Sequence, residues 1–133
     1  RKDDYVGVKI VRRLQGRVSQ NVHLIECETV PESFIESIIE SNPTHILLID
    51  AAMLDQEPGS SKLMGPDQLA NRPAVSTHAL PLQIFCGYLA ETTGAKIVVF
   101  GIQPEDASFG EGLTMKLKKT AIELSDLLSR MLP

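Results

Sequence analysis

The sequence predicts a single-domain α/β sandwich of three layers, in which helices cover both faces of a mostly parallel, twisted sheet. Apolar runs typical of buried strands alternate with stretches of helical periodicity along the chain. The 133 residues, 43% of them hydrophobic, suffice for one domain with one substantial core. We therefore assign residues 1–133 to a single domain.

The first helix begins almost at the start of the chain. Apolar residues with helical spacing follow "RKDDY" directly, at Val6, Ile10, Val11 and Leu14. In an alternating α/β chain a strand normally leads into such a helix, so we expect this first strand to lie upstream of Arg1, outside the sequence.

The remaining elements follow from periodicity and turn chemistry. "THILLIDAA" is a continuous apolar run, as expected of a central parallel strand that is covered on both faces. "TMKLKKTAIELSDLLSRM" repeats apolar residues as a helix does, with Thr114 as its N-cap. In chain order, we predict a strand at 21–29, a helix at 31–42, a strand at 44–52, an extended piece near 62–65, a helix at 79–93, a strand at 95–103 and a helix at 114–131.

Composition excludes several classes of function. The net charge of -4 argues against a protein that binds the phosphate backbone of nucleic acids. No apolar run approaches the ~20 residues that span a bilayer, and no signal peptide is visible, so we expect a cytoplasmic protein without membrane insertion. Cys27 and Cys86 lie far apart without a metal-binding spacing, and we interpret them as ordinary buried or half-buried thiols.

Candidate site residues gather at one edge of the predicted sheet. Ligands of open α/β sheets bind beyond the carboxyl ends of the strands. Asp50 ends its strand, and His78 opens the helix that crosses back over the sheet. Asp3 and Asp4 would follow the missing first strand, and Glu26 and Glu28 lie near the end of the next strand. Carboxylates together with one imidazole suit a borderline divalent metal such as nickel or zinc.

Each of these residues also has a purely structural interpretation. Asp3 or Asp4 could cap the first helix, Asp50 could bond backbone amides after its strand, and His78 could be a half-exposed residue at a helix start. Glu26 and Glu28 could simply be solvated.

Other candidates lack a catalytic setting. We interpret His23 and His45 as non-catalytic, and Ser76 and Thr77, which precede His78, as capping residues rather than nucleophiles. Without a serine or cysteine nucleophile, the chemistry would be water-based hydrolysis or metal recognition.

Ordered motifs narrow the function further. "RKDDYVG", "VPES", "LLIDAAML" with a following "EPG", "STHALPL" and "FGIQPE" cover essentially the whole chain in this order. Together they resemble the hydrogenase maturation endopeptidases, specifically the branch that serves hydrogenase-3-like and energy-converting NiFe hydrogenases. "STHALPL" and "GIQPE" are the most telling of the five.

The resemblance implies an endopeptidase that recognises nickel already inserted in the precursor of a NiFe hydrogenase large subunit and removes its C-terminal extension. It implies that Asp4, Asp50 and His78 are the metal-contacting and catalytic residues. Nickel would then come from the substrate, and the isolated protein would be largely metal-free. Asp3 would be a helix-start residue or a support for the metal contacts.

The chain departs from the family pattern in two loops. Lys2 and Tyr5 stand where glycines are expected around the first acids. After the second strand, Glu26, Cys27 and Glu28 replace most of a "D-G-G-T" motif, with Glu26 able to stand in for its acid. Both substitutions put the shape of the loops in question, because glycine permits backbone angles that other residues resist.

Two other functions remain open on the sequence. The domain could be a non-catalytic docking or chaperone factor that recognises the nickel-loaded precursor without cutting it. It could also be a regulator that binds a small molecule, in which Asp4, Asp50 and His78 only mark the ends of helices and strands.

Overall fold

The computed structural model describes residues 3–27, 31–69, 82–105 and 112–133. Within these ranges a three-stranded sheet lies between two helical layers, which confirms the predicted α/β sandwich. The helices are α1 (Val6–Leu14), α2 (Ile35–Glu40), α3 (Pro66–Leu69), α4 (Leu82–Thr93) and α5 (Met115–Met131), and the strands are β1 (His45–Ala51), β2 (Ser61–Met64) and β3 (Lys96–Ile102). Short 3-10 turns at Asp3–Tyr5 and Pro31–Phe34 precede α1 and α2.

Most predicted bounds agree with the structure to within one residue. The helix expected at 31–42 is shorter, because its first turn is the 3-10 turn and it ends at Glu40. The short helix α3 was not expected from the sequence. The start of the helix expected at 79–93 falls partly outside the described residues, which resume at Leu82.

The sheet has the order β1-β3-β2, with β1 parallel and β2 antiparallel to β3. The strand predicted from "THILLIDAA" is β1, which is parallel to β3 as expected and packs against the core on both faces. Its predicted central place in the sheet is wrong for the described part of the chain. There β3 is central and almost fully buried, whereas β1 ends the sheet and its residues 46–49 are only half-buried.

A second prediction fails at residues 21–29. Residues 22–27 run as an extended chain that joins no ladder, and residues 28 and 29 lie outside the described ranges. The strand composition is present, but a strand also requires a neighbour to accept and donate its backbone hydrogen bonds. Among the described residues, no strand lies beside this segment.

The two helical layers form separate halves of the core. Helices α1 and α5 pack on one face of the sheet, and α2 and α4 pack on the other. On α4, Leu82, Phe85 and Leu89 are all buried at helical spacing. On α5, Leu117, Ala121 and Leu128 are buried, whereas Met131, at the end of the helix, is 70% exposed.

Candidate active site

A cavity of about 100 Å³ opens at the carboxyl end of β1. Its polar lining comes from three parts of the chain: Asp4 before α1, Glu26 and Cys27 at the end of the extended segment, and Asp50 on β1. Three carboxylates and a thiol thus share one cavity, and among the described residues no lysine or arginine lines it. The structure brings Asp4, Asp50 and Glu26 together as the sequence predicted.

The position of Asp50 follows from the register of β1. It lies opposite Gly101 of β3, near the end of the parallel ladder. Its Oδ1 accepts a hydrogen bond of 2.9 Å from the N–H of Ala51, so the expected bond to a neighbouring backbone amide is present. That bond fixes the direction of the carboxylate without removing it from the cavity.

A buried glutamine holds the loop that follows Asp50. Gln103, only 6% exposed, accepts a hydrogen bond of 2.6 Å from the N–H of Leu54 and donates one of 3.2 Å to the carbonyl of Pro104. It belongs to the "GIQPE" motif, which gave no sign of this role beyond its part in the family resemblance. Gln103 therefore ties the end of β3 to the loop beyond the site.

Asp4 reaches the cavity because α1 lies close against β1. A Cβ atom on Gly7 would collide with the carbonyl oxygen of Ile49, so only glycine permits this approach. The close contact places the turn that carries Asp4 beside the strand that carries Asp50.

Asp3 supports the site from beneath and does not line it. Its side chain is fully buried, and its carboxylate accepts hydrogen bonds from the N–H groups of Glu105 and Thr114, at 2.8 and 2.9 Å, and from the Thr114 hydroxyl. Thr114 is the N-cap of α5, as predicted, but its hydroxyl bonds Asp3 rather than its own helix. Asp3 therefore joins the start of α1 to the loop after β3 and to α5, as expected of a support.

Glu26 forms an ion pair with Arg12 of α1. Its Oε1 accepts a hydrogen bond of 2.9 Å from Nε of Arg12, whose guanidinium also lies 5.7 Å from the centroid of the Tyr5 ring. The bond to Glu26 raises the pKa of Arg12 above its ordinary value. Arg12 thus offsets the charge of Glu26 within the acidic lining of the cavity.

Cys27, which the sequence indicated only as an ordinary buried or half-buried thiol, also lines the cavity. Burial, followed by the nearby charge of Asp50, raises the pKa of its thiol from 9.0 to about 11. A thiol with so high a pKa stays protonated at neutral pH and is a poor nucleophile. The only sequence signal was its position next to Glu26 near the end of the predicted strand.

His78, the third predicted contact, lies outside the described ranges, as do Glu28, Ser76 and Thr77. Within those ranges, no three side chains of histidine, cysteine, aspartate or glutamate are arranged to hold a metal ion. The carboxylates of Asp4 and Asp50, which line one cavity, nevertheless suit a metal ion that is already bound to most of its ligands in a partner. His45 lies at the opposite end of β1 from Asp50, where its Nδ1 is 3.0 Å from the Thr44 hydroxyl.

Comparison with known proteins decides the family. A family model described as hydrogenase maturation protease matches residues 8–130. The chain belongs to the hydrogenase maturation protease family. It is thus a peptidase of hydrogenase maturation, and the resemblance drawn from the motifs is confirmed.

Relatives in this family cover most of the chain. A putative hydrogenase maturation protease of Methanocaldococcus jannaschii is 37% identical over 115 residues, which are 80% of this chain and 68% of that protein. The hydrogenase 3 maturation protease of Escherichia coli is 29% identical over 116 residues, 87% of this chain and 74% of that protein.

The fold agrees with solved members of the maturation protease family. The crystal structure of the NiFe hydrogenase maturation protease HycI from Thermococcus kodakarensis superposes with a TM-score of 0.89 at 34% identity, over 99% of this chain and 85% of that one. The solution structure of the Escherichia coli endopeptidase HycI gives 0.85 at 27% identity, over 97% and 82%. In the described part of this maturation protease, no helix is long and apolar enough to cross a membrane.

Proposed function

We propose that this maturation protease removes the C-terminal extension of a NiFe hydrogenase large-subunit precursor after contacting the nickel inserted in it. Asp4, Asp50 and His78 are the proposed contacts and catalytic residues. The observation that carries the proposal is the shared cavity: Asp4 and Asp50 are distant in the sequence and line the same acidic space. Such a space attracts a cation presented by a partner.

The chemistry proposed is hydrolysis of a peptide bond by water. The cavity of about 100 Å³ has room for water but not for a peptide, since one water needs roughly 10–15 Å³ by the same measure. The scissile bond would therefore lie at the cavity mouth. There Asp4 or Asp50 can orient a water molecule and accept its proton.

Nickel belongs to the substrate in this proposal. Carboxylate oxygens, with the imidazole of His78, are donors that a borderline divalent ion accepts while it keeps ligands from the precursor. Nickel could polarise the carbonyl of the scissile bond or serve only as an anchor that positions the bond. The isolated protein would then carry little metal, and the reaction would take place in the cytoplasm.

The decisive experiment is the intact mass of the large-subunit precursor from the same organism, with and without nickel, before and after incubation with the protein. We expect loss of a C-terminal peptide from the nickel-loaded precursor alone. Asp4→Asn and Asp50→Asn should each slow cleavage by about a hundredfold or more, as loss of a general base does. Asp55→Asn, at an exposed position in the loop after β1, is the matched control and should cleave normally.

The other outcomes separate the alternatives. A stable complex whose mass never changes would replace the protease function with that of a docking factor. Equal cleavage by Asp50→Asn and the unaltered protein would remove Asp50 from the catalytic site. Cleavage of the nickel-free precursor at the same rate would show that the metal is not sensed.

A further inference from the structure

Exposed apolar side chains lie around the acidic cavity. Four large hydrophobic residues, between 38% and 78% exposed, are found at the edge of the sheet that holds it. Each comes from a different segment of the chain that reaches this edge. We call this set the apolar collar: Tyr5 before α1, Met53 after β1, Ile84 near the start of α4 and Met115 at the start of α5.

Neighbouring residues place the first two members of the apolar collar. Tyr5 directly follows Asp4, which lines the cavity. Met53 lies three residues after Asp50, which also lines it, and the Nε2 of Gln103 donates to the Met53 Sδ at 3.9 Å. The buried Gln103 therefore holds an exposed thioether at the end of the sheet, close to the candidate active site.

The starts of two helices place the other members. Leu82, the first residue of α4, lines the cavity, and Ile84 follows it on the exposed side of the helix. Met115 follows Thr114, whose N–H donates a hydrogen bond of 2.9 Å to Asp3 beneath the cavity. Both helices therefore begin at the edge that holds the cavity, and they cover opposite faces of the sheet.

The outer side of α4 lacks the charges that a solvated helix carries. No charged residue occurs from Leu82 to Ala90, and Tyr88, one turn after Ile84, is exposed on the same side. Helices α1 and α5 instead carry lysine and arginine residues at several exposed positions. A helix that is apolar on all sides is normally covered by another part of a protein. The outer side of α4 thus has the composition of an interface.

Single exposed apolar residues are ordinary, but a set of them around one site marks a surface that binds another molecule. Tyrosine and methionine are also enriched in protein interfaces, whose centres contain few charged residues. We propose that the apolar collar docks the folded body of the large-subunit precursor, with the acidic cavity inside the contact. This inference rests on the proposed function. The partner surface would be apolar and would present its cation at the centre.

The charge of the cavity favours this partner over a second copy of the chain. A symmetric dimer uses the same surface on both subunits, so a dimer formed by the collar would oppose two acidic cavities. Asp4, Glu26 and Asp50 line each cavity, and no lysine or arginine among the described residues does. Like charges placed opposite each other weaken association, whereas a partner that presents a cation is attracted. The same carboxylates repel a membrane of anionic lipids.

The test measures binding separately from cleavage. Ile84→Gln and Met115→Gln each replace an apolar side chain of the collar by a polar one, and Met131→Gln makes the same change at the other end of α5. For the nickel-free precursor, we expect the Kd from isothermal titration calorimetry to rise about tenfold in each collar variant and less than about twofold in Met131→Gln. Binding to the unaltered protein should show a negative heat-capacity change, because apolar surface is buried.

Cleavage of the nickel-loaded precursor provides the second measurement. Both collar variants should raise KM and change kcat by less than about twofold, because docking contacts are the same in the ground and transition states. Thermal melts establish that the variants are folded. Tyr88→Gln, on the same side of α4, replaces Ile84→Gln in both measurements if that variant does not fold.

The outcomes separate this inference from the proposed function. Normal cleavage with unchanged Kd and KM in both collar variants would overturn the collar and leave the protease function intact. Weaker binding in those variants, without cleavage by the unaltered protein, would refute the protease function and support the collar as the surface of a docking factor. An equal loss of affinity in Met131→Gln would also overturn the collar. So would a dimer of the unaltered protein, or binding to vesicles of anionic lipid, that the collar variants abolish.

Discussion

Asp3 and Asp4 are adjacent acids with different surroundings, since Asp3 is fully buried and Asp4 lines the cavity. The carboxylate of Asp3 accepts hydrogen bonds from two backbone N–H groups and one hydroxyl, so its oxygens cannot be replaced by a donor. We expect Asp3→Asn to lower the free energy of unfolding by about 2–3 kcal/mol, because an amide NH₂ would face an N–H donor in a buried site. Chemical denaturation measures this directly.

Two control variants should lose less stability than Asp3→Asn. Thr114→Val removes the hydroxyl bond and keeps the backbone bond, so it should cost only about 1 kcal/mol. Asp67→Asn alters an exposed acid and should leave stability unchanged. If Asp3→Asn unfolds at the same denaturant concentration as the unaltered protein, Asp3 is not the support inferred here.

Cys27 provides a pH-dependent prediction. Its pKa is raised from 9.0 to about 11, so the folded state favours the protonated thiol. This preference is fully present below pH 9.0 and is lost as the pH rises through about 11, which lowers stability across that window. We expect the rate of alkylation of Cys27 in the folded protein to rise with a midpoint near 11.

Peptide mapping by mass spectrometry separates Cys27 from Cys86, whose pKa burial also raises to about 11. In denaturant both cysteines should react with a midpoint near their ordinary value of 9.0. Rapid alkylation of folded Cys27 near neutral pH would contradict the burial of its thiol.

At the scale of elements, the contact between α1 and β1 positions Asp4 beside Asp50. Gly7→Ala should force these elements apart and cost about 1–3 kcal/mol, as overpacking does, with slower cleavage because Asp4 moves. Gly87→Ala in α4 is the matched control. No atom lies within 4 Å of its added Cβ, so alanine should be neutral or stabilise by up to about 1 kcal/mol. Thermal melts and cleavage assays of both variants measure these effects. Equal losses of stability and activity in Gly7→Ala and Gly87→Ala would contradict the role of the contact between α1 and β1.

The elements also show where sequence reasoning succeeds. Helices α1 and α5 have nearly the expected bounds, because the spacing of apolar residues is a local property that any helix of that sequence must satisfy. Residues 22–27 fared differently. Their composition indicated a strand, but pairing depends on residues distant in the chain, and the sequence does not reveal whether a neighbour is present.

At the scale of the whole molecule, both core halves rest on one sheet, so residues 1–133 should unfold as one unit. Leu89→Ala in α4 and Leu117→Ala in α5 remove fully buried side chains from opposite layers. Each should cost about 2–5 kcal/mol. Far-UV and near-UV circular dichroism should give coincident transitions for both variants.

Leu63→Ala is the control for this pair, because Leu63 is 61% exposed and its loss should change stability little. Two separate transitions in either leucine variant would mean that the layers fold independently. The single-domain assignment would then fail.

The sequence by itself determined the alternation of helices and strands, the buried faces of the main helices, and the family through its ordered motifs. It also placed Asp4 and Asp50 at one edge, since parallel strands end on the same side of a sheet. Only the tertiary structure decided that Asp3 is a buried support, that Arg12 pairs with Glu26 and that Cys27 enters the cavity. These features depend on contacts between residues far apart in the chain, and such contacts leave no periodic signal in the sequence.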